Sequence, residues 1–344
     1  MKKLHGLLFG LTAWLLVASP TRGDGPDPLR PLTADEIAAR DRIRQGLLGN
    51  DPEGERAAIE ARLANRTFET PKRLERRTIE AGGREREFFV FVPESAKGKP
   101  SPVVFALHGA GANSGLSQHW KSDYTGLAAK EGFVVVYPSG VRGWNWDPSA
   151  PARPSLQTPP ADDLAFFDAM FDRLIADRIA DPTRIYVTGG SGGGFMTWSL
   201  MFHRGNRIAA AGLMVALLPR AYTHWPPLPR PVPAIVMLGT LDPLVTWEGA
   251  DRGYSAADTV KLLCEMNGCA GEPVVAALPD RDGDGNLVET ATWSNAQAPV
   301  VLYRMNGHGH VWPMTESSQS GPKTRDFVPV EAFWAFLREH RLER

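Results

Sequence analysis

The chain has 344 residues, with 38 Lys plus Arg against 39 Asp plus Glu and a formal net charge of −1. That balance excludes a nucleic-acid surface built on bulk charge and a polybasic membrane surface, and 43% hydrophobic with 22% charged residues excludes wholesale disorder. Two cysteines are too few for a disulfide-framed mini-protein or a zinc ribbon, which leaves one large domain with an appendage.

Lys2 and Lys3 precede an apolar run from Leu7 to Val17, interrupted by Gly10 and Thr12. A basic start and a short apolar stretch read as a secretory leader, since a membrane span needs ~20 residues. Thr21 and Gly23 fit the −3 and −1 cleavage positions, so residues 1–23 are expected to be removed and the mature chain exported, with no stable membrane anchor. From Leu32 to about Glu75 the sequence is charged and alanine-rich. Thr33-Ala34-Asp35-Glu36 reads as a capping box and Asp51-Pro52 as a second helix start. Residues 24–75 are therefore expected to be a short helical extension or linker, without chemistry of its own.

From Arg76 onward strand and helix patterns alternate. Arg86 to Val92 forms a strand preceded by the hairpin turn Gly82-Gly83. Continuous apolar runs at Val103–Leu107, Phe133–Tyr137, Ile185–Thr188, Ala234–Leu238 and Val300–Tyr303 are those of strands buried on both faces. Asp162 to Arg178 carries Leu164, Phe167, Phe171, Leu174 and Ile175 on one helical face. The alternation predicts an α/β fold over 76–344, with a mostly parallel central sheet and helices on both faces.

Several short motifs carry chemistry. Leu107-His108-Gly109-Ala110-Gly111 follows a predicted central strand, where its glycines let backbone N–H groups turn toward a developing oxyanion. The backbone amides of Ala110 and Gly192 are the candidate donors, and the His108 side chain reads as structural. Thr188-Gly189-Gly190-Ser191-Gly192-Gly193-Gly194 is G-x-S-x-G between a strand and a helix. Ser191 is the candidate nucleophile there, because a side chain at Gly189 or Gly193 would clash where strand and helix converge. The run lacks the Lys of a phosphate loop and the acidic residue of a dinucleotide site.

An acid and a base should follow in chain order. Asp242 stands in the turn after an apolar strand, with Asp251 and Asp258 as alternatives. His308 and His310 follow the last strand as candidate bases; a His-x-His pair without a third ligand makes a poor metal site. Cys264 and Cys269 flank the turn Asn267-Gly268, and in an oxidising compartment they either bridge or stay as two thiols. Asp280-Arg281-Asp282-Gly283-Asp284-Gly285 begins like a calcium loop, but Ala291 occupies the twelfth position, so a solvated loop is the better reading. No metal or cofactor is called for.

The elbow, the His-Gly-x-Gly loop, Tyr137-Pro138-Ser139-Gly140 with Trp144-Asn145, Asn267-Gly268-Cys269 and His310-Val311-Trp312-Pro313 occur in one order. That order resembles the secreted esterases of the feruloyl esterase and polyhydroxybutyrate depolymerase type, within the α/β-hydrolase superfamily, over residues 76–344. The resemblance implies an α/β-hydrolase fold and a Ser191–His310–Asp242 triad. Where this type has glycine before the base's own glycine, the chain has His308, and Gly190 stands where a larger residue is common. The implied activity is hydrolysis of a small-molecule or polysaccharide-linked carboxylic ester, with a polyhydroxyalkanoate depolymerase or a serine peptidase of the same fold as alternatives. Trp144, Trp146 and Trp312 are expected to line the crevice as flat walls for a sugar ring or a phenolic acid, core packing being the other reading. A solid polyester calls for a surface-binding module, for which the charged extension is too short, so soluble aryl or carbohydrate esters are favoured.

Overall fold

The computed structural model describes residues 27–49, 69–110, 112, 114–149, 160–250, 253–312 and 321–343. The expected leader and the helix start at Asp51-Pro52 lie outside them. The strands, in chain order, are β1 (Glu75–Ala81), β2 (Arg84–Phe91), β3 (Ser101–Leu107), β4 (Val134–Pro138), β5 (Ala180–Gly190), β6 (Ala210–Met214), β7 (Ala234–Gly239), β8 (Val274–Ala277), β9 (Val288–Trp293) and β10 (Val300–Met305). They form one sheet in the order β1-β2-β4-β3-β5-β6-β7-β10-β9-β8. The six strands from β4 to β10 run parallel, flanked by antiparallel β1-β2 at one edge and β9-β8 at the other. Gly82 and Gly83, both at positive φ, make the β1–β2 turn.

The continuous apolar runs become strands covered on both sides, because successive side chains point to opposite faces. The helices are α1 (Ala34–Leu48), α2 (Leu116–Lys121), α3 (Tyr124–Glu131), α4 (Asp163–Ala176), α5 (Gly192–Arg204), α6 (Ala256–Met266) and α7 (Pro329–Leu337). Val104 and Ala106 of β3 face one cluster, with Tyr124 of α3 and Phe333 and Trp334 of α7. Val103, Phe105 and Leu107 face the other, with Phe167, Met170, Phe171 and Leu174 of α4. Phe171 meets Phe105 edge-on at 4.9 Å between centroids, and burying such a ring contributes about 1.5–3 kcal/mol. Leu164 and Ile175, expected on the buried face of α4, are half-buried, and Phe166 and Met170 take the inner positions.

β6 has no counterpart among the sequence-predicted strands. Ala210-Ala211-Gly212-Leu213-Met214 lacks β-branched residues, yet all five are buried. Its composition follows from packing. A Cβ at Gly212 would lie 2.6 Å from Cδ1 of Phe333, so only glycine admits that ring to the sheet.

The capping box at α1 is present in both halves. Thr33 Oγ1 accepts from the Glu36 N–H at 3.2 Å, and the Thr33 N–H donates to Glu36 Oε2 at 2.7 Å. The segment lies on the sheet domain, with Leu32 buried in a cluster with Trp247, Ala291 and Leu302.

Cys264 and Cys269 are free thiols in this structure. The local backbone closes the end of α6. The Cys269 N–H reaches back to the Cys264 carbonyl at 2.9 Å across Gly268, whose φ is +65°. Asn267, fully buried, pins that turn by donating from Nδ2 to the Val232 carbonyl at 2.7 Å.

Candidate active site

β5 runs directly into a residue with strained backbone. Ser191 sits at φ 54°, ψ −122° between β5 and α5, and its N–H donates to the Met214 carbonyl of β6 at 3.0 Å. A non-glycine residue at positive φ stores about 1–3 kcal/mol of strain, and such strain persists where the surroundings over-determine it. Here the over-determination is tight. A Cβ on Gly189 would fall 2.3 Å from the Gly193 carbonyl carbon, the clash that the sequence predicts. The elbow holds Ser191 at the N-terminal end of a 13-residue helix, where N–H groups and the helix dipole favour negative charge.

The loop after β3 meets the same helix end. A Cβ on Gly192 would lie 2.6 Å from the backbone nitrogen of Ala110, so the two candidate oxyanion donors are immediate neighbours. His108 holds this loop from beneath. The Gly140 N–H donates to His108 Nε2 at 2.8 Å, which puts the ring proton on Nδ1, and Nδ1 donates to the Gly109 carbonyl at 2.8 Å. Burial pushes the His108 pKa down to about 4, so the ring is a neutral brace.

The acid and base positions converge. Asp242, buried in the turn after β7, accepts from His310 Nδ1 at 2.7 Å through Oδ2. Its Oδ1 accepts from the Leu244 and Val245 N–H groups at 2.8 and 2.7 Å. Of the alternative acids, Asp258 pairs with Ser255 at the start of α6, and Asp251 lies outside the described residues. His308 and His310 are not interchangeable. His308 accepts the Thr324 N–H at Nδ1 (3.1 Å) and donates from Nε2 to the Val311 carbonyl (2.9 Å), leaving no free ring nitrogen. Burial takes its pKa down to about 4. His310 is the ring held on Asp242, through Nδ1.

Two of the three expected crevice tryptophans are corrected by the structure. Trp144 is buried, stacked on His108 at 4.5 Å between centroids, and its Nε1 donates to the His108 carbonyl at 2.8 Å. It buttresses the oxyanion loop, because the crossover after β4 folds inward onto β3 instead of lining a cleft. Asp163 and Arg86 secure that fold: the Asn145 N–H donates to Asp163 at 2.6 Å, and Arg86 pairs with the same buried carboxylate at 2.6 Å. Trp312 is likewise buried, in a cluster with Phe333. A Cβ on Gly190 would lie 3.2 Å from the Trp312 ring, so this indole fills the room left by glycine and joins the base segment to the elbow. Trp146 stays half-buried, 5.3 Å from the ring of Phe195, which stands four residues along α5 from Ser191. The sequence reading missed Phe195, although its i+4 spacing from Ser191, the candidate nucleophile, was available.

Two outcomes follow. Trp144→Ala should lower kcat on a feruloyl and an acetyl ester by the same factor, at least about tenfold, since a sub-ångström shift of the oxyanion donors is felt by every ester. A change confined to KM for the feruloyl ester would restore the crevice-wall reading. Second, His108 and His308 stay neutral in the folded chain down to about pH 4, whereas in the unfolded chain they protonate near pH 6.5. Stability contributed by these groups is therefore full well above pH 6.5, falls as pH drops through 6.5 toward 4, and by pH 5.5 each histidine has cost on the order of 1 kcal/mol. Urea midpoints at pH 7.5 and 5.5 check this; equal midpoints would contradict it.

Among the described residues, Asp280, Asp282 and Asp284 bring carboxylate oxygens within 4.8 Å of one another on an exposed loop. Asp280 is occupied by the Gly283 and Gly285 N–H groups, as in a self-satisfied turn. No helix among the described residues is long and apolar enough to cross a membrane.

The fold is that of the α/β-hydrolases, and the proteins the chain is similar to include serine esterases and hydrolases. The prolyl oligopeptidase family pattern matches residues 119–219, from α2 through the elbow to the end of β6 and just beyond. A protein of Nocardia uniformis subsp. tsuyamanensis provisionally named esterase NocK is 26% identical over 69% of this chain and 73% of its own length. Feruloyl esterase B of Piromyces equi is 27% identical over 65% of this chain, and the match spans 42% of that protein. The bifunctional acetylxylan esterase/xylanase XynS20E of Neocallimastix patriciarum is 29% identical over 48% of this chain and 23% of its own length. In fold, an acetyl xylan esterase from Aspergillus awamori aligns with a TM-score of 0.50 at 18% identity, over 70% of this chain and 95% of that one.

Proposed function

We propose that the chain hydrolyses carboxylic esters, feruloyl, acetyl or related, of small aryl or carbohydrate-linked substrates. In this reading Ser191 attacks the carbonyl carbon, and His310 Nε2 takes the hydroxyl proton. Asp242 holds the imidazole by Nδ1 and stabilises the imidazolium, and the Ala110 and Gly192 amides receive the oxyanion. His310 then protonates the leaving alcohol and activates the water that releases the acyl group. The observation that carries the reading is the strained Ser191 beside the paired amides, in a chain that also holds His310 on Asp242 at 2.7 Å. The esterase names of the relatives support an ester, and the half-buried Trp146–Phe195 pair near the nucleophile suits an aromatic acyl group or a sugar ring.

One observation favours peptide bonds instead: the matching family pattern is that of prolyl oligopeptidases. Its match stops before Asp242 and His310 and covers scaffold that both chemistries share, so the ester reading is preferred. The proposal includes residues 76–344 as the catalytic domain, 24–75 as an extension, and export of the mature chain. Assays of p-nitrophenyl acetate, methyl ferulate and a peptide anilide with the wild type, and Ser191→Ala as the blank, test it. Turnover of either ester that vanishes in the variant is expected. Cleavage of the anilide alone would move the assignment to a peptidase.

A further inference from the structure

The N-terminal segment showed no chemistry as sequence, yet it closes over one side chain that touches both loops of the acid–base pair. That side chain is Arg304 of β10, the strand leading to His308 and His310; it is fully buried. Its Nη1 donates to the Arg30 carbonyl at 2.7 Å, and its Nη2 reaches Glu36 Oε1 of α1 at 3.3 Å. Its Nε donates to Asn306 Oδ1 at 2.8 Å and lies 3.5 Å from Glu289 of β9. The guanidinium stacks over Trp247 at 4.5 Å, within the loop that begins at Asp242.

Three further contacts tie the same elements together. Arg40 of α1 pairs with Glu248, next to Trp247. The Gly307 N–H donates to Thr240 Oγ1 at 3.0 Å, joining the base loop to the acid loop. The Gly309 N–H, between the two histidines, donates to the Pro322 carbonyl at 2.8 Å, and Ile43 of α1 stands where a Cβ added to the neighbouring Gly321 would lie 3.6 Å from it. A buried cation left with one carboxylate would lose several kcal/mol of compensation. Glu36 and the Arg30 carbonyl cover Arg304 from the side of α1.

We propose that residues 30–43 are a positioning element of the catalytic centre, in which Glu36 and Arg40, acting through Arg304 and Glu248, hold the Asp242 and His310 loops in register. The inference rests on the reading of Ser191, His310 and Asp242 given above. Neither Glu36 nor Arg40 touches substrate; they set the aim of the His310 imidazole toward Ser191, and a small misplacement there costs rate far more than binding.

The test uses the full chain with Glu36→Gln and Arg40→Ala together. Gln keeps the capping box, so α1 survives while the pairs of Glu36 with Arg30 and Arg304 and those of Arg40 with Asp41 and Glu248 are lost. Serines that react with a fluorophosphonate are counted, and kcat is expressed per reactive serine. The expected result is a fall of at least tenfold in kcat and in the phosphonylation rate constant, with KM changed less than twofold. Glu36→Asp with Arg40→Lys should recover at least half of the loss. A lower melting temperature with kcat per reactive serine unchanged would make the segment merely structural and overturn the proposal. A wild-type chain inert to the fluorophosphonate would instead sink the reading of Ser191, and this inference with it.

Discussion

Asp242→Asn should lower kcat for ester hydrolysis by about 10⁴-fold while leaving the melting temperature within a few degrees of wild type. The size follows from how the carboxylate is held. Oδ1 accepts from the N–H groups of Leu244 and Val245, two donors that require an oxygen in that place. Asparagine must therefore put its carbonyl there and turn its NH₂ toward His310 Nδ1. That nitrogen becomes an acceptor, the ring proton moves to Nε2, and the atom that should take the serine proton already carries one. Folding is spared because both backbone donors keep their acceptor. A loss below tenfold would mean that the Asp242–His310 contact does not orient the base.

Gly192→Ala should reduce kcat by about 10²–10³-fold with little change in KM. The added methyl would stand 2.6 Å from the Ala110 nitrogen and 3.0 Å from its Cα, closer than carbon atoms approach without displacement. Backbone lies on both sides, so one of the paired amides must move. Losing one preorganised oxyanion donor costs about 2.7–4 kcal/mol of transition-state stabilisation. Ground-state binding of the ester depends on it much less. Gly190→Ala is the comparison: its methyl would meet the Trp312 ring at 3.2 Å, pressing on the segment of His310 and not on the amides, and should lower kcat less than Gly192→Ala. Equal losses of kcat in the two variants would argue that the elbow, and not the oxyanion site, is the sensitive element.

What could be read from the sequence divides by range. The elbow, the loop after β3 and the acid after β7 are local patterns, in which each residue type answers to its immediate chain neighbours. Ser191, Ala110, Gly192 and Asp242 were therefore legible as candidates. The parallel strands were legible for the same reason, except β6, whose Ala-Ala-Gly run makes sense only beside Phe333. The tryptophans failed differently. An indole after a strand end can line a cleft or seal a loop, and the choice depends on where the crossover travels; Trp144 and Trp312 both seal. The two histidines at 308 and 310 look alike in sequence and separate only through Thr324 and Val311, which occupy the ring of His308. Arg304 and Glu36 are 268 residues apart, and no spacing rule links an arginine in a strand to a capping-box glutamate. The capping box was readable; its second use was not.

The most direct test of the account is to treat the wild-type chain and His310→Ala with a small fluorophosphonate, then map the adduct by peptide mass spectrometry. A nucleophile activated by His310 predicts one phosphonyl group, on Ser191, formed in the wild type and slowed by at least about 10³-fold in the variant. An adduct on another serine, or labelling of Ser191 at the same rate in both proteins, would contradict it.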